Sequence, residues 1–468
     1  ARPVRDGTNR RQGLERPGSG LAGSINTAEK LEARFAPEPP ARSPVPTLRR
    51  GLFALFDQGL FTAANFILNI LLARWLEPRS YGVFAVGFSI FLLAGAAYIA
   101  VLGEPLLVFG AARYSDRQRA YFKATLKLHA LITGIAAAGL VITALAFLIG
   151  GQTEVAKLIV VVGLASPFIL LTWFGRDACY ALDLTGQAAR AGALHLVVLL
   201  TALGLMHHYG SLTAVNAFVA MAVAGLVSGA WLLWILRQRS ARGLPLAFRS
   251  VVSEHFSFGS WNLLATALWW ASGQILFLML PVFMGLEVVA AFAAIMNLAR
   301  PINPLMRAIC SLQIMDTARA IHTPSQRSRL AALTRRTVAL STASVLLYGI
   351  ILTFLAQPVL RLLYHGRYDS YASPVFFLLL ALAFAASAAQ QTLGMVIKAA
   401  GNTRELAMVW LVPAIATVVA SIPVMLMRSL PGVILVFGGA NVLGAIFSWR
   451  EVRTIIAAQE PAAAAKAS

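Results

Sequence analysis

The first long apolar stretch of the chain reads Asp57-Gln-Gly-Leu-Phe-Thr-Ala-Ala-Asn65-Phe-Ile-Leu-Asn69-Ile-Leu-Leu-Ala-Arg74-Trp-Leu76. It has the length of about 20 residues that an α-helix needs to cross roughly 30 Å of hydrocarbon. Its polar residues Gln58, Asn65 and Asn69 recur at helical spacing and therefore share one face. An apolar helix with one polar stripe predicts a membrane span that faces protein or water along that stripe.

The composition of the whole chain is typical of a membrane protein. Of its 468 residues, 58% are hydrophobic and only 12% are charged, and the mean hydropathy is +0.73. A soluble domain carries about 25% charged residues. Twelve apolar spans can be counted between residues 52 and 449. We therefore predict an all-α, polytopic membrane protein with about 12 transmembrane helices; ten or eleven spans is the alternative.

Lysine and arginine are unevenly distributed between the connecting segments. With the N-terminus inside, the inner segments hold 33 of the 39 Lys and Arg residues and the outer segments hold 6. Basic loops tend to stay in the cytoplasm, so both termini are predicted to be cytoplasmic. The net charge of +20 then follows from topology, and no nucleic-acid partner is expected.

The chain contains a weak internal repeat. Residues 75–85 match residues 283–293 at an interval of 208, and Gly186 matches Gly401 at an interval of 215. Both glycines are expected to follow a helix end. The repeat predicts two pseudo-symmetric six-helix lobes around a central cavity, an architecture found in transporters. Chance similarity between two apolar regions is the alternative.

The predicted organisation has five parts. They are a disordered cytoplasmic tail (1–50), an N-terminal lobe (51–237), a cytoplasmic linker (238–255), a C-terminal lobe (256–455) and a flexible cytoplasmic tail (456–468). The tails are predicted from their polar composition, rich in Pro, Arg or Ala, without a long apolar run. The spans near 256–283 and 285–309 are the hardest to delimit, because Pro281 and Pro301 interrupt or end helices.

Polar side chains within the predicted spans mark a candidate cavity, because such groups face the protein interior or water. They are Gln58, Asn65, Asn69, Asn262, Gln274, Asn297, Arg300, Gln391 and Lys398. Hydrogen bonding between helices is the alternative role for the amides, and a position at the inner interface is the alternative for Arg300. Trp261, Trp269 and Trp270 share the seventh span with two of the amides and either stack on a sugar ring or pack between helices.

Asp57 is the one acidic residue that the sequence places well within a span, since the second and fourth spans are expected to end near residues 103 and 175. A carboxylate at this depth is a candidate for coupling transport to a proton or a sodium ion. The alternative is a structural ion pair with Arg49 or Arg50.

The motifs of several enzyme classes are absent. No phosphate-binding loop, His-Glu-x-x-His zinc motif or Asp-x-Asp pair occurs. Cys179 and Cys310 are the two cysteines, and their predicted cytoplasmic positions argue against a disulfide or a metal site. We therefore expect a protein that is not an enzyme and has no metal or cofactor. A membrane enzyme of polysaccharide assembly remains the alternative.

The opening of the first span, followed by Tyr81-Gly-Val-Phe84, resembles the polysaccharide and oligosaccharide flippases of the multidrug/oligosaccharidyl-lipid/polysaccharide (MOP) exporter superfamily. Residues 104–110, 364–369 and 398–404 are similar to segments at matching places in these exporters. The resemblance covers about residues 50–455.

The resemblance implies a transporter of the bacterial inner membrane that flips an undecaprenyl-diphosphate-linked oligosaccharide to the outer leaflet for surface polysaccharide synthesis. Cationic cavity residues would attract the diphosphate, and the candidates by position are Arg113, Arg176, Arg300 and Lys398. Expected partners are the polyprenyl-diphosphate-linked glycan, membrane lipid and other polysaccharide-assembly proteins. A cation-coupled drug exporter of the same superfamily is the alternative; it predicts acidic cavity residues, and few occur.

Overall fold

The structure is a computed structural model, and it describes residues 47–111, 113–151, 153–240, 244–299, 301–302, 306, 317, 330–371 and 373–457. These residues are nearly all helical, and they contain no strand. The predicted N-terminal tail up to residue 46, the predicted C-terminal tail from residue 458, Arg300 and Cys310 lie outside the described residues.

The first half of the chain forms six helices. They are α1 (Thr47–Trp75), α2 (Pro78–Ala111), α3 (Gln118–Ile149), α4 (Thr153–Ala181), α5 (Thr185–His208) and α6 (Ala214–Arg239). Pro78 lies in the first turn of α2. The N–H groups of a first turn have no partner within the helix, so proline, which lacks an N–H, loses no hydrogen bond there. Thr213 caps α6 by accepting a hydrogen bond from the N–H of Asn216 at 3.1 Å.

The described residues of the second half form six more long helices. They are α7 (Phe248–Phe283), α8 (Leu286–Ala299), α9 (Leu330–Tyr364), α10 (Pro374–Ala399), α11 (Thr403–Leu426) and α12 (Leu430–Ala457). Among the described residues, eleven helices are long and apolar enough to cross a membrane, and the described part of α8 is shorter. The predicted all-α polytopic fold is confirmed, and the chain is a multi-pass membrane protein.

Equivalent helices of the two halves pack in the same way. In the first half α4 contacts both α3 and α6, and α5 packs on α6. In the second half α10 contacts both α9 and α12, and α11 packs on α12. Helix α2 also packs against α7 and α8 of the other half. The two predicted six-helix lobes are therefore present, with α2 at the boundary between them.

The repeat is clearest in the turns between helices. Left-handed backbone conformations recur at Gly151 and Gly366, at Asp183 and Gly401, and at Gly210 and Arg428. The members of these pairs are 215, 218 and 218 residues apart. The predicted match of Gly186 with Gly401 is wrong, because Gly186 lies in the first turn of α5. Asp183 occupies the left-handed position instead, with φ of 61°, and Asp tolerates it because its short polar side chain can bond locally.

Several helices extend beyond the apolar runs that predicted them. Helix α1 begins at Thr47, inside the predicted tail. Helix α6 continues to Arg239 and α7 begins at Phe248, both inside the predicted linker 238–255. Helical hydrogen bonding does not stop where hydrophobicity falls, so apolar runs underestimate helix length.

Two further acidic residues lie on these extended helices. Glu104 lies within α2 and Asp177 within α4, each just past the apolar run that predicted the span. The expectation that Asp57 alone is an acidic residue well within a span stays a prediction.

Helix α7 is interrupted between Ala271 and Leu276. The break precedes Pro281, which lies inside the second piece. It frees main-chain carbonyls, and hydroxyl groups from neighbouring helices satisfy two of them. Ser89 donates to the carbonyl of Gln274 at 3.1 Å, and Thr417 donates to that of Ser272 at 3.0 Å. In a membrane such partners replace water.

Candidate functional site

A cavity of about 370 Å³ lies between the two halves, at the break in α7. Its walls come from α1 and α2 in the first half and from α7, α8, α10 and α12 in the second. The polar lining consists of Asn69, Ser89, Ser272, Gln274, Ser387 and Gln391. The aromatic and sulfur-containing lining consists of Phe88, Trp269, Phe277, Phe384, Phe437, Met296, Met306 and Met395.

The chemistry of this lining suits an amphipathic molecule. Ligand pockets of about 300–1,000 Å³ are usually apolar with a few placed polar groups. No acidic or basic side chain is among the described residues that line the cavity. The methionines supply an adaptable surface, the aromatic rings supply stacking faces, and the amides and hydroxyls can donate or accept hydrogen bonds.

Three predicted cavity residues, Asn69, Gln274 and Gln391, line this space. The Asn69 amide donates to the carbonyl of Asn65 at 2.8 Å. The Asn65 amide in turn donates to the carbonyl of Phe61 at 3.0 Å. Asn65 and the exposed Gln58 are not lining residues. The polar stripe of α1 therefore reaches the cavity at Asn69.

Asn297 holds helices together. Its side chain is fully buried, and its amide donates to the hydroxyl of Tyr81 at 2.9 Å and to that of Tyr364 at 3.4 Å. These contacts join α8 to α2 and α9. The structure thus places Asn297 in an interhelical contact that includes both halves, and not on the cavity wall.

Asp57 and Arg176 form a buried ion pair. Arg176 Nη2 lies 2.7 Å from Asp57 Oδ2, and Arg176 Nε lies 3.2 Å from both carboxylate oxygens. Tyr180 donates to Asp57 Oδ2 at 2.6 Å, and the guanidinium lies 4.4 Å from the ring centre of Phe61. Asp57 therefore pairs with Arg176 on α4. Arg176, predicted to face the cargo, is held away from the cavity wall by this pairing.

Polar contacts join the halves where α2 ends and α3 and α7 begin; we call this the basic end of the bundle. Lys398 Nζ lies 3.0 Å from Glu104 Oε1, and Asn262 donates to Glu104 Oε2 at 2.7 Å. Lys398 and Asn262 are both predicted site residues. Glu104 was missed because it lies just past the predicted end of its span, although an acidic residue inside an apolar run is a usable signal.

Glu254 forms a second contact at the basic end. It accepts a hydrogen bond from the hydroxyl of Tyr114 at 2.7 Å and pairs with Arg113 at 3.2 Å. Burial, together with this hydrogen bond to Glu254, raises the pKa of Tyr114 to about 12. The hydroxyl therefore stays a donor at neutral pH. Arg113, another predicted cation, thus lies at the boundary between the halves.

The halves also touch at the opposite end, where α1 ends and α2 begins. Arg367 donates to the carbonyls of Leu76 at 2.5 Å and Ala73 at 3.3 Å. A cation at the last carbonyls of a helix is favourable because of the helix dipole. Close by, Gly82 lies against the carbonyl of Leu286, and a Cβ at Gly82 would collide with it. The sequence carried no signal for the Arg367 contact, since its acceptors are backbone atoms.

No family model matches the chain, and no curated protein does. Solved structures do match. One is an inward-facing multidrug resistance MATE family transporter of the MOP superfamily, with 14% identity, 87% of this chain and 99% of that chain covered, and a TM-score of 0.72. The chain has the fold of MOP-superfamily transporters.

Two further solved structures have a similar fold. A MOP superfamily transporter from Pyrococcus furiosus Vc1 (DSM3638), described as having a binding pocket of reverse polarity, has 14% identity, 88% and 96% coverage and a TM-score of 0.65. An outward-facing MATE family transporter has 16% identity, 88% and 95% coverage and a TM-score of 0.61. Identities this low establish the shared MOP fold, and the polysaccharide flippase family within that superfamily is not singled out.

Proposed function

We propose that the chain exports an amphipathic small molecule by alternating access, driven by a cation gradient. The cavity between the halves carries this proposal, because it is lined by the broken helix α7 and by rings, amides and thioethers. Discontinuous helices at the boundary of two repeats form the cargo sites of many transporters. Solved structures of similar fold include transporters described as multidrug resistance proteins.

Physically, the cavity substitutes for water around the polar part of the cargo. An unpaired polar group loses several kcal/mol on entering hydrocarbon, about 2–7 depending on the reference state. Asn69, Gln274 and Gln391 can restore those hydrogen bonds. The aromatic faces of Trp269 and Phe277 hold the apolar part.

The experiment is dye transport by the purified protein in liposomes under an imposed proton or sodium gradient. The wild type should concentrate a planar amphipathic dye, and the double variant Trp269→Ala/Gln391→Ala should lose most of the activity at equal incorporation. The matched control is Trp261→Ala, since Trp261 lies on the same helix but is 46% exposed and does not line the cavity. Equal rates in liposomes with and without protein would reject export of such molecules.

A flippase for a polyprenyl-diphosphate-linked oligosaccharide is the second candidate. The observation that favours it is the pair of cations at the basic end, Lys398 and Arg113, each held by a carboxylate at the boundary between the halves. If that boundary opens, both can turn to an anionic headgroup. The chain would then act in a bacterial inner membrane with cytoplasmic termini, beside other polysaccharide-assembly proteins.

Gene deletion distinguishes the two candidates. Accumulation of undecaprenyl-linked glycan together with loss of surface polymer supports the flippase and identifies the cargo by mass. Normal lipid-linked pools with intact polymer, together with greater sensitivity to amphipathic compounds, support the exporter.

A further inference from the structure

A second cavity, of about 350 Å³, lies at the end of the bundle opposite the basic end. Three turns of the second half surround it: the turn from α7 to α8, the turn from α9 to α10 and the turn from α11 to α12. No residue of the first half is among its described lining residues. It is therefore separate from the cavity between the halves, to which the proposed function assigns the cargo.

The polar lining of this second cavity carries a positive charge. Arg428 is the only charged residue among the described lining residues. Three residues add hydroxyl groups: Ser370, Tyr371 and Ser373. Two carboxylates are close along the chain, but Asp369 pairs with Arg361 at 2.6 Å, and Glu287 is an exposed residue in the first turn of α8. Neither lines the cavity, so its positive charge is not neutralised by a carboxylate of the described lining.

Arg428 occupies a strained position in its turn. Its φ is 54°, in the left-handed region, where a residue with a Cβ is strained and glycine is not. The corresponding turn of the first half, between α5 and α6, has Gly210 there with φ of 65°. Strained backbone of this kind is often found at binding sites. The second half thus places a cationic side chain where the same turn of the first half has none.

Two helices begin at this cavity and add to its positive potential. Ser373 directly precedes α10, and Leu430 is the first residue of α12. Neither helix has an acidic residue in its first turn, and a helix start carries a partial positive charge. Ser373 Oγ accepts a hydrogen bond from the N–H of Phe376 at 3.1 Å, which leaves its own proton available to another acceptor. The cavity therefore favours an anion with several oxygen acceptors.

The rest of the cavity and its rim are apolar. Four lining residues have apolar side chains: Met284, Val288, Phe376 and Leu430. Val375 and Met427, which directly precede lining residues in the chain, are exposed. In a multi-pass membrane protein, exposed apolar side chains beside a polar site indicate contact with lipid. Tyr371 also suits the level of the lipid headgroups, where tyrosine is enriched.

We propose that the second cavity binds the headgroup of an anionic phospholipid. Arg428 donates to the phosphate oxygens, because its planar guanidinium matches phosphate geometry, and the hydroxyl groups donate to the remaining oxygens. The apolar lining and rim contact the glycerol backbone and the start of the acyl chains. One lipid then joins the three turns of the second half. This inference does not rest on the proposed function, since no cargo takes part in it.

The test measures lipid binding to the full-length protein in detergent micelles. Native mass spectrometry follows the first lipid bound during titration with dioleoylphosphatidylglycerol, which is anionic, or with dioleoylphosphatidylcholine, which has the same phosphate and a compensating cation. The wild type should bind the anionic lipid about tenfold more tightly, equivalent to about 1.4 kcal/mol. Arg428→Gln should weaken binding of the anionic lipid by about tenfold, because charge-assisted hydrogen bonds are lost. Arg428→Lys should retain part of the preference.

The matched control is Arg74→Gln. Arg74 is an exposed arginine in the last turn of α1, at the same end of the bundle, and it does not line the cavity. Its variant should bind both lipids as the wild type does. Equal affinity of the wild type for the two lipids, or an unchanged preference in Arg428→Gln, overturns the inference. An equal loss in Arg74→Gln and Arg428→Gln also overturns it, because the preference would then follow net charge alone.

A second variant applies if Arg428→Gln does not fold. Arg428→Gly relieves the left-handed backbone, so its melting temperature in lipid-free micelles should be at least that of the wild type while its preference for the anionic lipid is lost. A retained preference in this variant overturns the inference.

A competition experiment distinguishes a lipid headgroup from a free anion. Inorganic phosphate in large excess should leave the bound anionic lipid in place, because it lacks the apolar contacts. Displacement of the lipid by phosphate would assign the cavity to a free anion and overturn the inference. A protein that binds lipid through Arg428 but transports no dye would contradict the proposed function alone. Dye transport with lipid binding independent of Arg428 would contradict this inference alone.

Discussion

Lys398 and Glu104 face each other across the boundary between the two halves, with Nζ 3.0 Å from Oε1. The residues are 294 positions apart in the chain, and each side chain is about one-third exposed. Asn262 donates to the same carboxylate. A single carboxylate of α2 thus holds α7 and α10, so opening of the basic end must break these contacts.

The first prediction concerns this ion pair. Lys398→Gln should shift the bundle toward the open basic end by about 1 kcal/mol, because a pair this exposed is partly screened; that is about a fivefold change in population. The distance between spin labels at Lys123→Cys on α3 and Arg404→Cys on α11, both exposed positions, measures this shift by electron–electron double resonance. The charge exchange Glu104→Lys/Lys398→Glu should recover part of the closed population. If the closed population of the charge-exchange variant is no larger than that of Lys398→Gln, the ion pair does not hold the halves together.

The second prediction concerns Asp57 and Arg176. Removing one partner leaves an uncompensated buried charge, so Asp57→Asn or Arg176→Met should lower the free energy of unfolding by about 3–5 kcal/mol. The double variant Asp57→Leu/Arg176→Met should lose much less free energy of unfolding than the two single losses added together, because no unpaired charge stays buried. Thermal unfolding in detergent measures both.

Ion coupling through Asp57 is separated from this structural effect by the rate of transport per folded molecule. Coupling predicts that Asp57→Asn abolishes transport in the fraction that folds. The control is Tyr180→Phe, which removes one hydrogen bond to Asp57 worth about 1 kcal/mol and leaves the carboxylate. Full activity of folded Asp57→Asn would end the coupling hypothesis for this residue.

The third prediction concerns the opposite end. Arg367→Gln removes charge-assisted hydrogen bonds to the last carbonyls of α1, worth about 1.5–3 kcal/mol, so the end where α1 meets α2 should open more often. The rate of thiol labelling at a cysteine introduced near Leu76 should rise in proportion to the population of the open state. The control is Arg361→Gln, whose pair with Asp369 lies in the same region but is 63% exposed on the arginine side. Equal labelling rates for the two variants would contradict a latch at Arg367.

The fourth prediction concerns the repeated turns. Gly401 has φ of 82°, so Gly401→Ala should cost about 1–2 kcal/mol of stability. At the equivalent position, Asp183→Gly should change stability by less than about 1 kcal/mol, because the left-handed conformation is already required there. Gly59→Ala is the control, since Gly59 lies inside α1 with open space around it and alanine should stabilise that helix slightly. An unaffected Gly401→Ala would argue against the equivalence of the two turns.

The functional residues were only partly readable from sequence. Asn69, Gln274 and Gln391 were predicted because amides are rare in apolar runs, and they line the cavity. Asn65, of the same residue type and on the same stripe, does not line it, although both asparagines donate to the carbonyl four residues earlier in α1. The two lie one helical turn apart, and residue spacing does not show at which height along α1 the cavity lies.

By itself the sequence determined the helical membrane fold, the approximate number of spans and the distribution of basic charge, because apolar run length and loop composition are local properties of the chain. Tertiary structure alone decided the partners of the charges. Asp57 meets Arg176 from 119 residues away, and Arg367 meets backbone carbonyls of α1. Such contacts depend on how helices are rotated and packed, and that arrangement is set by the whole bundle at once.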